Sequence, residues 1–538
     1  TLIRYIRGVD FSNLRRRTLP DGRVWKLGDI IYSTPLVVGP PTERYDLIYG
    51  DVSYNEFYRA YKNRRTVVYV GANDGMFHAF NSGRLTETGN DLSPLQIDPA
   101  GYSIGDEIFA YIPFNLLPHL KWLPRNDYCH VYYVDLKPYP TDVRIFTPDP
   151  IHTNGWGTVI VGGFRLGGTL YNTPTKVYSS AFFLADVTRP ENITILWEKR
   201  LPDGSYTTSF PTTCKVGNNW FLVVGTGPTN LAHVNSNQAP KIYVLDYRTG
   251  LILRTFTLPI NSSFVGDIIS VDYDLDYNVE VLYFGTNVLE NPTLPRYGGI
   301  LYKIKTNDDP NPNNWVLAPV FDASEPIISS PSVGMDNKGR LWVYFGTGRF
   351  YTRDDANYLE TQYLVGVRDE DAYYNLNNLL DVTNIRVFSP ESVFTPTGAI
   401  ISFNQLENMV STTYKGWYRR LILGERCITA SALIGGVALF TTYKPDFRPC
   451  RAGGEGVLYA LYYLTGTAYY RPIIGESGTG ENLPSISTGP GAPSEPTVYV
   501  GAEGEKVFVQ LGTGGIFETE SPLPFSPQRS RIIFWKGR

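Results

Sequence analysis

The sequence predicts an all-β chain, a β-propeller of about seven four-stranded blades with loop insertions. Three observations carry that prediction. An apolar, strand-like run ending in Gly recurs along the chain, closing at Gly71, Gly162, Gly225, Gly285, Gly346 and Gly501. The steps from Gly225 to Gly285 and from Gly285 to Gly346 are 60 and 61 residues, the near-fixed spacing of a repeat architecture. Between these runs the pattern alternates with period two, and a helical period is almost absent.

Each repeat follows one grammar. A strand bearing Pro or Ser comes first (SFPTTCKV, VGDIISVDY, ISSPSVGMD), then the Gly-ended strand. A third strand follows (KIYVLDYRTG, GILYKIKT, YLVGVRD), and a more polar fourth such as ILRTFTL or VLAPVF completes the unit. Residues 1–30 read as a lead-in from an absent N-terminal region, and 31–538 as a single propeller. Insertions fall near 91–150 and 371–420, the second holding YYNLNNLLDV, a stretch that suits short helices. Ring closure predicts that Arg529 to Trp535 pairs near Ile31 to Val38, which removes an exposed sheet edge.

Composition narrows the function. The 538 residues carry 48 Lys+Arg against 52 Asp+Glu, a net charge of −4 that gives no nucleic-acid footprint. No apolar run is long enough for a transmembrane helix. The first residue is Thr1, so the expectation is a processed chain or part of a longer one. Cys129, Cys214, Cys427 and Cys450 form no CxxC; Cys427 and Cys450 flank one hairpin and could pair in an oxidising compartment, the others reading as buried thiols. Asn192 and Asn261 head sequons that matter only in a glycosylating host. The five histidines form no metal-type pair and read as structural or surface groups, and no GxSxG or Walker A motif starts a catalytic site. Tyr-rich runs such as DAYYN, TAYYRP and LYYLTG would suit an adhesive face, although Tyr also fills half-buried strands.

One stretch stands apart. In VDYDLDYNVEVLYFG, Val271 to Gly285, the residues Asp272, Asp274, Asp276, Asn278 and Glu280 occupy every second position before an apolar strand. In a plain strand these groups would share a face and repel. Oxygen ligands at positions 1, 3, 5, 7 and 9 of a loop instead wrap a hard cation such as Ca²⁺, position 7 through its backbone carbonyl. The metal ligands predicted are therefore Asp272, Asp274, Asp276, Asn278 (by its C=O) and Glu280. Two features depart from the pattern: Tyr277 stands where the sharp turn favours Gly, and Tyr283 stands where a bidentate Glu is usual.

Taken in order, WKLGDIIYSTPLVVGPP, YVGANDGMFHAFN, DEIFAYIPFNLLPHL, GTVIVGGFRLGG, FLADVTRP, VVGTG, YVLDYRTG, GWYRRLILGER and QRSRIIFWKG resemble the C-terminal propeller of the PilY1/PilC proteins of type IV pili. The resemblance runs from about Arg4 to the C-terminus. It implies a protein secreted to the cell surface at the pilus tip, where it acts in adhesion to a host or abiotic surface. It also implies association with minor pilins and Ca²⁺-dependent control of pilus assembly, extension against retraction, with the Ca²⁺ role falling on the five positions above. The enzyme alternative is a PQQ-type quinoprotein dehydrogenase-like propeller, against which the scattered cysteines and the position of the acidic cluster count. The expectation is thus a protein that is not an enzyme. A non-adhesive scaffold for minor pilins is the third reading.

Overall fold

The computed structural model describes residues 1–83, 87–88, 91–92, 101–291, 293, 296–446, 453–501 and 504–525. The chain divides into two compact units. The first comprises Thr1–Leu231 and Pro240–Thr257, and the second comprises Ala232–Ala239 and Leu258–Gly537.

The first unit holds three antiparallel sheets of four strands each. Leu36–Val38, Thr66–Gly71, Phe77–Gly83 and Glu107–Tyr111 make one. Tyr139–Arg144, Trp156–Gly163, Ala181–Asp186 and Thr194–Arg200 make the next, and Thr212–Val216, Asn219–Gly225, Lys241–Asp246 and Ile252–Thr257 the third. Central strands are covered on both faces, which is why Trp156–Gly163 and Ala181–Asp186 are buried along their whole length. The N-terminal helix Leu2–Ile6 packs Tyr5 and Ile6 against Leu116, Leu120 and Leu123, so the lead-in is part of this unit's core. A helix at Val52–Tyr61 starts where the Asp51 carboxylate accepts the Tyr54 amide at 3.1 Å, and it buries Tyr54 and Phe57.

The second unit repeats the meander. Ser263–Val271, Val281–Asn291, Ile300–Lys305 and Val316–Asp322 form the sheet that carries the acidic loop. Ser332–Met335, Leu341–Gly346, Tyr363–Arg368 and Gly416–Arg420 follow, then Ala432–Ile434, Val437–Lys444, Glu455–Tyr462 and Ser485–Pro490. The last sheet has three described strands, Thr497–Gly501, Gly504–Gln510 and Ile516–Glu520. The segment 232–239 belongs here because the buried Arg349 guanidinium donates to the carbonyls of His233 and Val234 at 2.9 and 3.3 Å. The expected pairing of Arg529 to Trp535 lies outside the described residues.

At Gly71 and Gly285 the glycine that ends the strand has a steric cause. A Cβ on Gly285 would collide with the Ile327 carbonyl oxygen, and one on Gly71 with the Val134 carbonyl oxygen. The neighbouring chain crosses the strand end at that point, and only glycine leaves it room.

Three expectations are corrected. YYNLNNLLDV folds as two short strands, Tyr374–Asn375 and Leu380–Asp381, around a single 3₁₀ turn at Leu376–Asn378. The true helix of that insertion is Phe403–Thr412, opened by a reciprocal Ser402–Gln405 cap and burying Phe403, Leu406 and Val410. Cys427 is a buried free thiol, its pKa pushed up to about 12 by burial, and Cys450 lies outside the described residues; Cys214 is buried as expected, but Cys129 is an exposed free thiol. The Tyr-rich runs follow the strand-filling reading at Tyr462 and Tyr469, core residues packed on Phe403, whereas Tyr373 is exposed.

Candidate metal centre

The loop between Ser263–Val271 and Val281–Asn291 folds back on itself through its own side chains. The Asp276 amide donates to Asp274 at 3.2 Å, and the Asn278 amide to Asp276 at 2.7 Å. The Tyr277 amide reaches across to the Asp272 carboxylate at 3.1 Å, which closes the turn. Such short-range caps are what Asp and Asn offer where the backbone must curl. Leu275 and Tyr277 both take left-handed conformations, with φ of 61° and 78°. The chain makes the sharp turn at Tyr277 without glycine, at a conformational cost of about 1–2 kcal/mol.

This curl brings Asp272, Asp274, Asp276 and Glu280 together, each offering a carboxylate oxygen within 4.8 Å of the others. Among the described residues no second group of three or more His, Cys, Asp or Glu converges in this way. Asn278 sits inside the loop, and its side-chain amide donates to Asp276 at 3.0 Å.

Glu280 is one of the two buried members of the cluster. It is 7% exposed, and its Oε2 accepts the Tyr273 amide at 2.7 Å. Its Oε1 is buried and meets no hydrogen-bond donor. Burial first, and then the charges of Asp272 and Asp274, push its carboxyl up to about 8. A buried carboxylate oxygen without a donor is costly unless a cation completes it. The donor set is entirely oxygen, which suits a hard cation and not the softer metals that prefer His and Cys. The residues present therefore fit the cation expected from the spacing.

The structure adds one acidic group that the 1-3-5-7-9 pattern could not contain. Asp308 lies in the turn after Ile300–Lys305 and shares a 260 Å³ cavity with Tyr273 and Glu280. Partial burial, followed by Asp276 and Asp274, raises its carboxyl above the usual range. Thr306 ties this turn to the loop, its amide donating to the Glu280 carbonyl at 2.9 Å and its hydroxyl to the Val279 carbonyl.

The histidines serve elsewhere. His78 is clamped between Asp74 at 3.1 Å and Glu107 at 2.5 Å, and His152 between Asp149 at 3.1 Å and Asp186 at 2.9 Å. No helix among the described residues is long and apolar enough to cross a membrane.

Comparison with known proteins bears on the fold and the family. A family model described as the PilY1 beta-propeller domain matches residues 27–379. A type IV pilus biogenesis factor PilY1 homolog of Xylella fastidiosa (strain Temecula1) is 27% identical over 465 residues, spanning 82% of this chain and 33% of that protein. The type IV pilus biogenesis factor PilY1 of Pseudomonas aeruginosa (strain PAO1) is 28% identical over 496 residues, spanning 82% of this chain and 38% of that protein. The chain thus spans about a third of the length of these curated relatives. The crystal structure of the Pseudomonas aeruginosa PilY1 C-terminal domain aligns with a TM-score of 0.62 at 20% identity, over 90% of this chain and 99% of that one. That likeness establishes the fold as a β-propeller of this type.

Proposed function

The chain belongs to the PilY1 β-propeller family, and from that premise we propose that it is a type IV pilus tip-associated protein whose Ca²⁺ loop controls pilus extension against retraction. In this reading Asp272, Asp274, Asp276 and Glu280 hold Ca²⁺ through carboxylates and Asn278 through its carbonyl. Four carboxylates in one loop exceed the one or two typical of Mg²⁺, which keeps most of its water. The protein works outside the cell, at the pilus tip. It docks there on minor pilins and presents its loops to a host or abiotic surface.

The observation that supports the reading best is the buried Oε1 of Glu280, facing Asp272 and Asp274 without a donor. The curated relatives are named as pilus biogenesis factors, which supports the cellular setting. The test is twitching motility and surface-pilus yield in piliated cells carrying Asp274→Ala at the chromosomal locus, with and without Ca²⁺ chelation. The reading expects the variant to behave as chelated wild type in either medium. A variant whose motility and piliation still respond to Ca²⁺ like wild type would refute it.

A further inference from the structure

The strand that leaves the cation loop is wired to a second acidic turn, at Asp369–Asp371. Glu280 is stitched on both sides, its amide donating to the Val271 carbonyl at 3.1 Å and its carbonyl accepting the Thr306 amide at 2.9 Å. The next residues register against Ile300–Lys305, with Val281 opposite Lys305 and Tyr283 opposite Lys303. Alternation along the strands places these four side chains on one face.

That face grips the turn. Lys303 is 3% exposed, and its Nζ lies 2.5 Å from Asp369 Oδ1 and 2.5 Å from Asp371 Oδ1. Lys305 Nζ reaches Asp371 at 3.1 Å, and the Tyr283 hydroxyl donates to Asp369 at 2.6 Å. Asp371 holds a left-handed φ of 56° while its amide donates to Asp369 at 3.1 Å. From here the chain enters the 371–420 insertion, whose Tyr374–Asn375 pairs in parallel with Phe321–Asp322. Glu370, between the two aspartates, bonds Lys415 at 2.8 Å near the insertion's far end.

We propose that Lys303 and Lys305 couple the cation loop to this insertion, so that cation binding tightens the Asp369–Asp371 turn and the strand after it. The inference rests on the reading of Asp272–Glu280 as a Ca²⁺ site. The 260 Å³ cavity is lined by Glu280 and Asp308 together with Asp369 and Asp371, and the two lysines are its cationic lining. With the loop's charge unbalanced, its aspartates compete through the shared cavity for the two ammonium groups that Asp369 and Asp371 hold, and those groups are compact charges on flexible stems. A divalent ion in the loop balances the first set and leaves the lysines to the second. The two lysines and the turn they hold form the element biased by the cation.

Amide hydrogen exchange of the full chain, in Ca²⁺ and in EGTA, tests this. In wild type, Ca²⁺ slows exchange across residues 369–381 by about tenfold, the size of an ordinary coupling between sites. In Asp371→Asn, Ca²⁺ still protects 272–285 but no longer 369–381, while calorimetry gives an unchanged Ca²⁺ stoichiometry. Asp371 has a side chain 64% exposed and Asn tolerates its φ, so this variant keeps the fold. Lys305→Met gives the same separation from the other partner. Protection confined to 272–285 in wild type, or full protection of 369–381 retained in Asp371→Asn, overturns the coupling and leaves the Ca²⁺ site standing. Absence of protection even at 272–285 overturns the Ca²⁺ reading itself, and the coupling with it.

Discussion

Replacing Glu280 by Gln should stabilise the metal-free protein and abolish its response to Ca²⁺. The amide keeps the oxygen that accepts the Tyr273 amide, so shape and one hydrogen bond survive. What disappears is a carboxyl held at about 8 against an ordinary value of 4.5. The folded group keeps its proton while the unfolded one ionises. Its contribution is therefore full below about pH 4.5 and is lost as pH rises through about 8. At pH 7 that loss is about 3 kcal/mol at 1.36 kcal/mol per unit. Two ionised carboxylates within 4.8 Å of each other at an effective dielectric constant near 20 repel by at least about the same amount. At roughly 2 °C per kcal/mol for a unit of this size, Glu280→Gln should melt about 6 °C above wild type in EGTA at pH 7. With millimolar Ca²⁺ wild type gains stability and the variant does not, so the gap narrows or reverses. Thermal melts followed by circular dichroism in both buffers read this directly. A variant that melts below wild type in EGTA, or that still rises with Ca²⁺, would refute the reasoning.

Other predictions concern the turn, the clamps and the caps. Tyr277→Gly removes the left-handed cost at φ 78°, about 1 kcal/mol, and should raise the melting temperature by about 2 °C with or without Ca²⁺; an unchanged or lower melting temperature contradicts it. Burial alone would lower the His78 pKa, but hydrogen bonds to Asp74 and Glu107 outweigh it and raise it to about 9. That stability is full below about pH 6.5 and is lost as pH rises through about 9, so wild type should lose up to about 3 kcal/mol over that window and His78→Gln should lose less; parallel pH–melting curves for the two proteins contradict it. Ser402→Ala removes the cap on Phe403–Thr412 and should cost about 1 kcal/mol, read as faster hydrogen exchange confined to that helix.

What the sequence revealed depended on how far apart the partners lie. The Gly-ended strands were legible because each repeat writes its own turn chemistry locally, although the reason for Gly285, the crossing Ile327 carbonyl, is visible only in three dimensions. The convergence of Asp272, Asp274, Asp276 and Glu280 was legible because the four carboxylates fall within nine residues, and the departure at Tyr277 marked the left-handed position. Asp308 was not, because it is brought in by the turn after the neighbouring strand. The lysine clamp on Asp369 and Asp371 was hidden for the same reason, its partners being more than sixty residues apart. The helix Phe403–Thr412 was missed despite its Ser402–Gln405 capping box, since ten residues give a weak periodic signal beside a strand-dominated pattern. Tyr462 and Tyr469 fitted strand filling better than an adhesive face, and Phe403 supplies the packing partner that places them in the core.

Equilibrium dialysis against labelled Ca²⁺ tests the cation site most directly, on wild type and on a variant with Asp272, Asp274 and Asp276 changed to Asn and Glu280 to Gln. The geometry predicts one Ca²⁺ per wild-type chain, saturating by about millimolar concentration as in extracellular modules, and none in the variant. Failure of wild type to retain Ca²⁺ at millimolar concentration, or retention of a full equivalent by the variant, would contradict it.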